Sequence, residues 1–273
     1  MQLSNLKMGA SPKLNGGTML VALSGWMDGG MVSTGTVRGM LRNRQASEIA
    51  RIEPDPFYIY NFPGSMEIAA LFRPAVKHKD GLVKQFELPT NIFHCDQSAN
   101  LIFFIGREPN LRWQEFADCF FAVAKEAGVS RIIFMGSFGG NTPHTREPRM
   151  FASVSHEHLK NLLPGFRFSD YSGPAGFSTM LLAQCGKHGL EMMSLVAEIP
   201  GYLQGENPLS IEAVTRRLSA ILNLPIEVDA LRRASDEWEI QITQAVEKDA
   251  ELAETVKKLE EQYDNELIGK AEE

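Results

Sequence analysis

A chain of 273 residues, 44% hydrophobic and 22% charged, is ordinary globular material, long enough to bury a full core. Its formal net charge of −7 argues against nucleic acid or anionic lipid as the main partner, because an acidic surface repels both. Three widely spaced cysteines, Cys95, Cys119 and Cys185, with no C-x-x-C support neither a disulfide framework nor a zinc knuckle. The opening segment lacks the apolar core of a secretion signal, and no run approaches the ~18 apolar residues of a membrane span. The expectation is a cytoplasmic protein.

The first buried strand is predicted over 18–24 (TMLVALS). It ends in the glycine turn Gly25-Trp26-Met27-Asp28-Gly29-Gly30, and a helix follows through Val37 and Leu41. The glycines at 25, 29, 30 and 35 do not spell the dinucleotide fingerprint G-x-G-x-x-G. A second short strand is read at 57–61 (FYIYN), and residues 74–89 read as a hairpin or edge region. The run NLIFFI at 100–105 is a third buried strand, closed by Gly106-Arg107-Glu108-Pro109. Trp113, Phe116, Phe120, Val123 and Ala127 then share one helical stripe, and Gly128 stands where a helix stop belongs. The apolar run at 132–135 follows at once, so 100–135 reads as a βαβ unit with parallel strands and a right-handed crossover.

That last strand opens RIIFMGSFGGNTPHTREP, residues 131–148, the stretch around which the chain is organised. A further strand is predicted at 150–154, then a helix from His156 capped by Ser155. The loop Ser169-Asp170-Tyr171-Ser172-Gly173-Pro174 precedes a helix at 177–185, a late strand at 192–199 and a helix at 209–222. Such alternation predicts an α/β fold with a mostly parallel sheet. From 225 onward the pattern changes, which divides the chain into a core at 1–224 and a helical extension at 225–273. Val228, Leu231, Ser235, Trp238, Ile242, Ala245, Asp249, Leu252, Val256, Leu259 and Tyr263 form a heptad seam, interrupted by Ser235 and Asp249. That seam suits self-association or partner binding. The alternative is a helix, bent near Ser235, lying against its own domain.

In a parallel sheet the loops after the strands share one edge, where ligands usually bind. These loops carry Trp26, Asp28, Arg107, Glu108, Asn141, His144, Arg146, Tyr171 and Tyr202. In an enzyme, Arg107 and Arg146 would hold an anion, His144 would move a proton, and Asp28 or Glu108 would orient it. Sharper motifs fail. Ser137 lacks the first glycine of G-x-S-x-G, Gly186-Lys187-His188 is not a P-loop, and His156-Glu157-His158 is too short for H-E-x-x-H. No catalytic residue, metal or cofactor is assigned.

Four segments taken in order, Ser24-Gly25-Trp26-Met27-Asp28-Gly29-Gly30, Gly106-Arg107-Glu108-Pro109, Pro143-His144-Thr145-Arg146 and Tyr171-Ser172-Gly173-Pro174, resemble those of the proteasome assembly chaperone two family. The likeness spans about residues 18–223 and is to the prokaryotic branch, once labelled as belonging to the ATP-grasp superfamily. The resemblance implies a three-layer α/β/α domain of the phosphorylase- and hydrolase-like kind, with a helical carboxyl-terminal extension. It also implies homo-oligomers, often trimers, that chaperone assembly without chemistry, some docking through a terminal hydrophobic-Tyr-any motif. The sequence closes Lys270-Ala271-Glu272-Glu273, which departs from that motif. The leading expectation is therefore a non-enzymatic, homo-oligomeric assembly or scaffolding protein, trimer favoured, with a protein partner. The alternative is an enzyme acting on a small phosphorylated or nucleoside-like substrate.

Overall fold

Nine strands form one sheet among the described residues: β1 (Leu6–Met8), β2 (Gly17–Ser24), β3 (Ser47–Ile52), β6 (Ile92–Asp96), β7 (Leu101–Arg107), β8 (Val129–Gly140), β9 (Arg149–Val154), β10 (Arg167–Phe168) and β11 (Glu191–Pro200). Two more, β4 (Ala75–Lys79) and β5 (Leu82–Glu87), pair only with each other. The helices are α1 (Val32–Arg42), α2 (Met66–Ala70), α3 (Trp113–Ala127), α4 (Phe177–Cys185), α5 (Pro208–Leu222), α6 (Asp229–Val246) and α7 (Ala250–Ala271). This computed structural model describes residues 3–10, 12–42, 44–225 and 227–271. Met1, Gln2 and Ser11 of the segment weighed against a secretion signal, and Glu272 and Glu273 of the terminal sequence, lie outside the described residues.

The large sheet has the order β1-β3-β6-β7-β2-β8-β11-β9-β10. Its four central strands, β7, β2, β8 and β11, are mutually parallel, while β1, β3, β6 and β9 run antiparallel to their neighbours toward the centre. Burial of both faces explains the unbroken apolar runs at the centre. In β2, Met19, Val21 and Leu23 face the layer of α3 and α4, while Leu20 and Ala22 face α1 and α5. Likewise Ile132 and Phe134 of β8 point one way, Ile133 and Met135 the other. The fold is therefore α/β with helices on both faces, its sheet parallel at the centre and mixed at the flanks.

Several expectations change. The strands of the 100–135 unit are parallel but not adjacent, because β2 lies between β7 and β8. Residues 57–61 form no strand. Phe57 and Tyr58 instead insert against Phe116, at ring separations of 4.9 and 6.5 Å, and the Phe57 carbonyl accepts the amides of Asn110 and Leu111. The strand in this region is β3, whose apolar residues Ile49, Ala50 and Ile52 are diluted by charge. Residues Glu157–Leu162 make a 3-10 helix capped by no side chain. Ser155 Oγ is taken up by the Met192 amide and by His156 Nδ1, each at 2.8 Å.

The tail is two helices rather than one bent near Ser235. The break falls at residues 247–249, where Asp249 Oδ1 accepts the amides of Glu251 and Leu252 at 3.1 Å and caps α7. Of the two polar interruptions in the heptad, Asp249 is thus the start signal of α7, while Ser235 lies within α6. The seam turns toward its own domain, with Ser235, Val256 and Tyr263 buried and Leu231 packed on the core between the sheet and α5.

Candidate functional site

The four parallel strands end on one edge, since Ser24 is in register with Arg107, Ser137 with Ala197 and Gly140 with Pro200. Trp26 and Asp28 follow β2, Glu108 follows β7, Asn141, His144 and Arg146 follow β8, and Tyr202 follows β11. Tyr171 enters from the loop between β10 and α4. What each side chain bonds divides this rim into separate neighbourhoods.

Beside β7, the Glu108 carboxylate accepts the Phe177 amide at 2.8 Å and the Trp26 amide at 3.3 Å. It therefore fastens the start of α4 to the turn after β2, the anion sitting where helix amides lack partners. Gly25, at φ +140°, adopts a backbone conformation that residues with side chains rarely take, and it packs closely on the Glu108 side chain. The indole of Trp26 and the ring of Tyr171 remain exposed, and Tyr171 donates to the Pro174 carbonyl at 3.2 Å. Asp28 occupies a second neighbourhood. Its two oxygens accept the Thr34 amide at 3.0 Å and the Thr34 hydroxyl at 2.8 Å, which pins the first turn of α1. Burial pushes its pKa up, and the Thr34 bonds oppose that rise.

The third neighbourhood holds the tail. Arg146 makes a two-pronged ion pair with Asp264 of α7, at 2.9 and 2.8 Å, and Thr145 donates to Glu260. Arg149 bonds Glu198 at 3.0 Å and Glu266 at 3.3 Å, its guanidinium 4.5 Å from the Tyr263 ring centre. Glu198 also accepts from Thr142 at 2.6 Å and from the Asn141 amide at 3.1 Å. Burial works against its charge, but these hydrogen bonds outweigh it and hold its pKa below the ordinary value. Tyr263 donates to the Glu147 carbonyl at 3.0 Å. Neither Glu198 nor Arg149 is singled out by sequence. The available signal was a lone carboxylate in the apolar run 192–199; in the fold it pairs with Phe138, and its side chain lies over Gly140, whose missing side chain leaves it space.

His144 is buried in the same network. Its amide donates to the Tyr202 oxygen at 2.9 Å, the same hydroxyl lies 2.7 Å from Nδ1, and the Thr243 hydroxyl lies 3.1 Å from Nε2. Burial holds the imidazole pKa below its ordinary 6.5, against a smaller upward pull from Glu260. The unfolded chain therefore takes up a proton here before the folded one does. Stability from this site is present above pH 6.5 and is lost as pH falls through the folded value. In urea titrations between about pH 7 and about pH 5, His144→Gln should flatten the decline shown by the unaltered protein. His94, half-buried and likewise lowered by desolvation, adds to the slope. An unchanged slope in His144→Gln would remove His144 from the acid response.

Among the described residues, no group of three or more His, Cys, Asp and Glu side chains is placed to hold a metal ion, and no helix is long and apolar enough to cross a membrane. The model of the PAC2 family matches residues 22–246, ending at the last residue of α6. No curated protein matches the chain. Among solved structures it is similar to a protein of unknown function from Corynebacterium glutamicum, with a TM-score of 0.84 at 22% identity over 96% of this chain and 98% of that one. A proteasome-assembly chaperone homologue from Mycobacterium tuberculosis matches with a TM-score of 0.77 at 25% identity, covering 88% and 99%. An archaeal proteasome activator from Pyrococcus furiosus matches with a TM-score of 0.65 at 22% identity, covering 88% and 97%.

Proposed function

The chain belongs to the PAC2 family, and from that premise we propose that it is a non-enzymatic, cytoplasmic assembly or scaffolding protein that acts as a homo-oligomer, a trimer being the favoured state, on a protein partner. The observation that carries this reading is the arm at residues 62–88. Every residue of β4 and β5 is exposed, and the hairpin joins no larger sheet. An isolated two-stranded hairpin is marginal in water, so a third surface is needed to steady it. Its register puts Val76, Leu82 and Phe86 on one face, with Phe86 62% exposed. Nearby, Met66 and Leu71 of the α2 segment are 82% and 71% exposed, while Phe62 and Phe72 stack at 4.9 Å to stiffen the base. Exposed apolar surface of this extent marks an interaction site.

Internal commitment of the rim groups supports the non-enzymatic part. Asp28, Glu108 and Arg146 each spend their charge on holding a helix, and His144 is bonded at both ring nitrogens. The tail's seam is likewise spent on its own domain, which moves self-association from the tail to the arm. Light scattering of the eluting full-length protein tests this. The unaltered chain should run at trimer mass, and Leu82→Lys with Phe86→Lys should run at monomer mass with an unchanged far-ultraviolet spectrum. A monomeric unaltered protein at tens of micromolar would sink the proposal.

A further inference from the structure

We propose that the cleft between the arm and the ends of β2 and β7 binds a small organic phosphate monoester, held by Arg38, Arg73 and Arg107. The cleft has a volume of about 290 Å³ and brings together three segments far apart in sequence: Arg38 from α1, Arg73 from the loop after α2, and Arg107 from the end of β7. Of fifteen arginines in the chain, ten form ion pairs among the described residues. Three of the other five converge here. Arg73 donates one bond to Asn61 Oδ1 and Arg107 one to the Leu71 carbonyl, both at 2.9 Å. A guanidinium has five N–H donors, so most of each fork remains for a ligand. Asp28 lies within electrostatic reach of Arg38 but gives its hydrogen bonds to Thr34.

One carboxylate, Glu87, also lines the cleft, and it is bonded to Gln85. Three cations against one anion invert the sign of a chain whose net charge is −7. Forked guanidinium groups match the oxygens of a phosphoryl group, and more than one is needed to balance its second charge. Tyr60 also lines the cleft, with its hydroxyl beside Asp55 and in the field of Arg107. The rings of Phe72, Pro74 and Pro89 and the side chain of Leu88 give the wall an apolar half, which suits an organic substituent rather than a bare ion. Phe72, Arg73, Pro74, Ala75, Glu87 and Leu88 of the lining belong to the arm, so the site shares that element with the assembly reading, whereas the arm face tested there is Val76, Leu82 and Phe86, none of which lines the cleft.

Calorimetric titration of the full-length protein with phenyl phosphate, inorganic phosphate and phenol tests the proposal. Phenyl phosphate should bind one saturable site with a dissociation constant of about 1 mM or tighter, inorganic phosphate more weakly and phenol not at all. Arg38→Gln, Arg73→Gln and Arg107→Gln should each weaken phenyl phosphate about tenfold or more, while Arg131→Gln, at the opposite end of the sheet, leaves it unchanged. Arg38 and Arg73 are exposed, so their loss leaves the fold intact. No saturable binding of phenyl phosphate at about 10 mM, or full affinity in the triple variant, would overturn the site. Inorganic phosphate binding as tightly as phenyl phosphate would overturn the organic substituent.

Discussion

Arg149→Leu should lower the unfolding free energy by about 3 kcal/mol at neutral pH and release α7 from the domain. Arg149 is only 8% exposed and is shared by Glu198, Glu266 and the Tyr263 ring. Its removal leaves the Glu198 carboxylate, 12% exposed, with Thr142 and one backbone amide as partners. A buried charge stripped of its counter-ion costs far more than a surface pair is worth. Because the native Glu198 pKa lies below the ordinary 4.5, the stability it brings is present above that value and is lost as pH falls through the native one. The gap between Arg149→Leu and the unaltered protein should therefore narrow under acid. Glu198→Gln added to Arg149→Leu should recover part of the loss, since the stranded charge disappears. Urea unfolding, with proteolysis watched at residues 247–249, measures both effects. A loss below about 1 kcal/mol would mean that the tail is held by solvent-screened pairs alone.

Phe104→Ala should cost about 3–5 kcal/mol, the largest effect of any single replacement considered. Phe104 is fully buried, with Phe120, Phe93 and Phe116 at ring separations of 4.4, 4.6 and 6.4 Å. These rings fill the space between the sheet and α3, and truncation leaves a cavity that the close-packed neighbours cannot collapse around. Phe104→Leu should retain most of that stability. Phe104 and Arg149 share no partner, so their losses should add within about 0.5 kcal/mol, which paired urea curves can check. A large departure from additivity would show that the tail and the aromatic layer are coupled.

The central strands were legible because burial on both faces leaves no polar residue to break an apolar run, as 18–24 and 132–135 show. The helix at Trp113–Ala127 was legible to its last residue, since Gly128 adopts the left-handed conformation that ends it, at φ +76°. The segment 57–61 misled for the converse reason. Its aromatic residues are buried, but as an irregular plug against Phe116, and burial pattern alone does not distinguish a strand from a plug. The tail misled similarly. A heptad fixes which face is apolar, not what covers it, and Asp249 serves equally as a tolerated polar position or a cap.

By itself, the sequence determined the α/β class and the edge on which the loops gather, because apolar periodicity and glycine placement are local and survive without partners, while the family followed from the likeness of four ordered segments to known members. Only the tertiary structure decided which charge meets which. Arg146 is bound to Asp264, 118 residues away, and Arg107 faces a cleft with Arg38 and Arg73. Long flexible side chains choose partners through space, and an arginine reads the same in a string of letters whether it clamps a helix or waits for an anion.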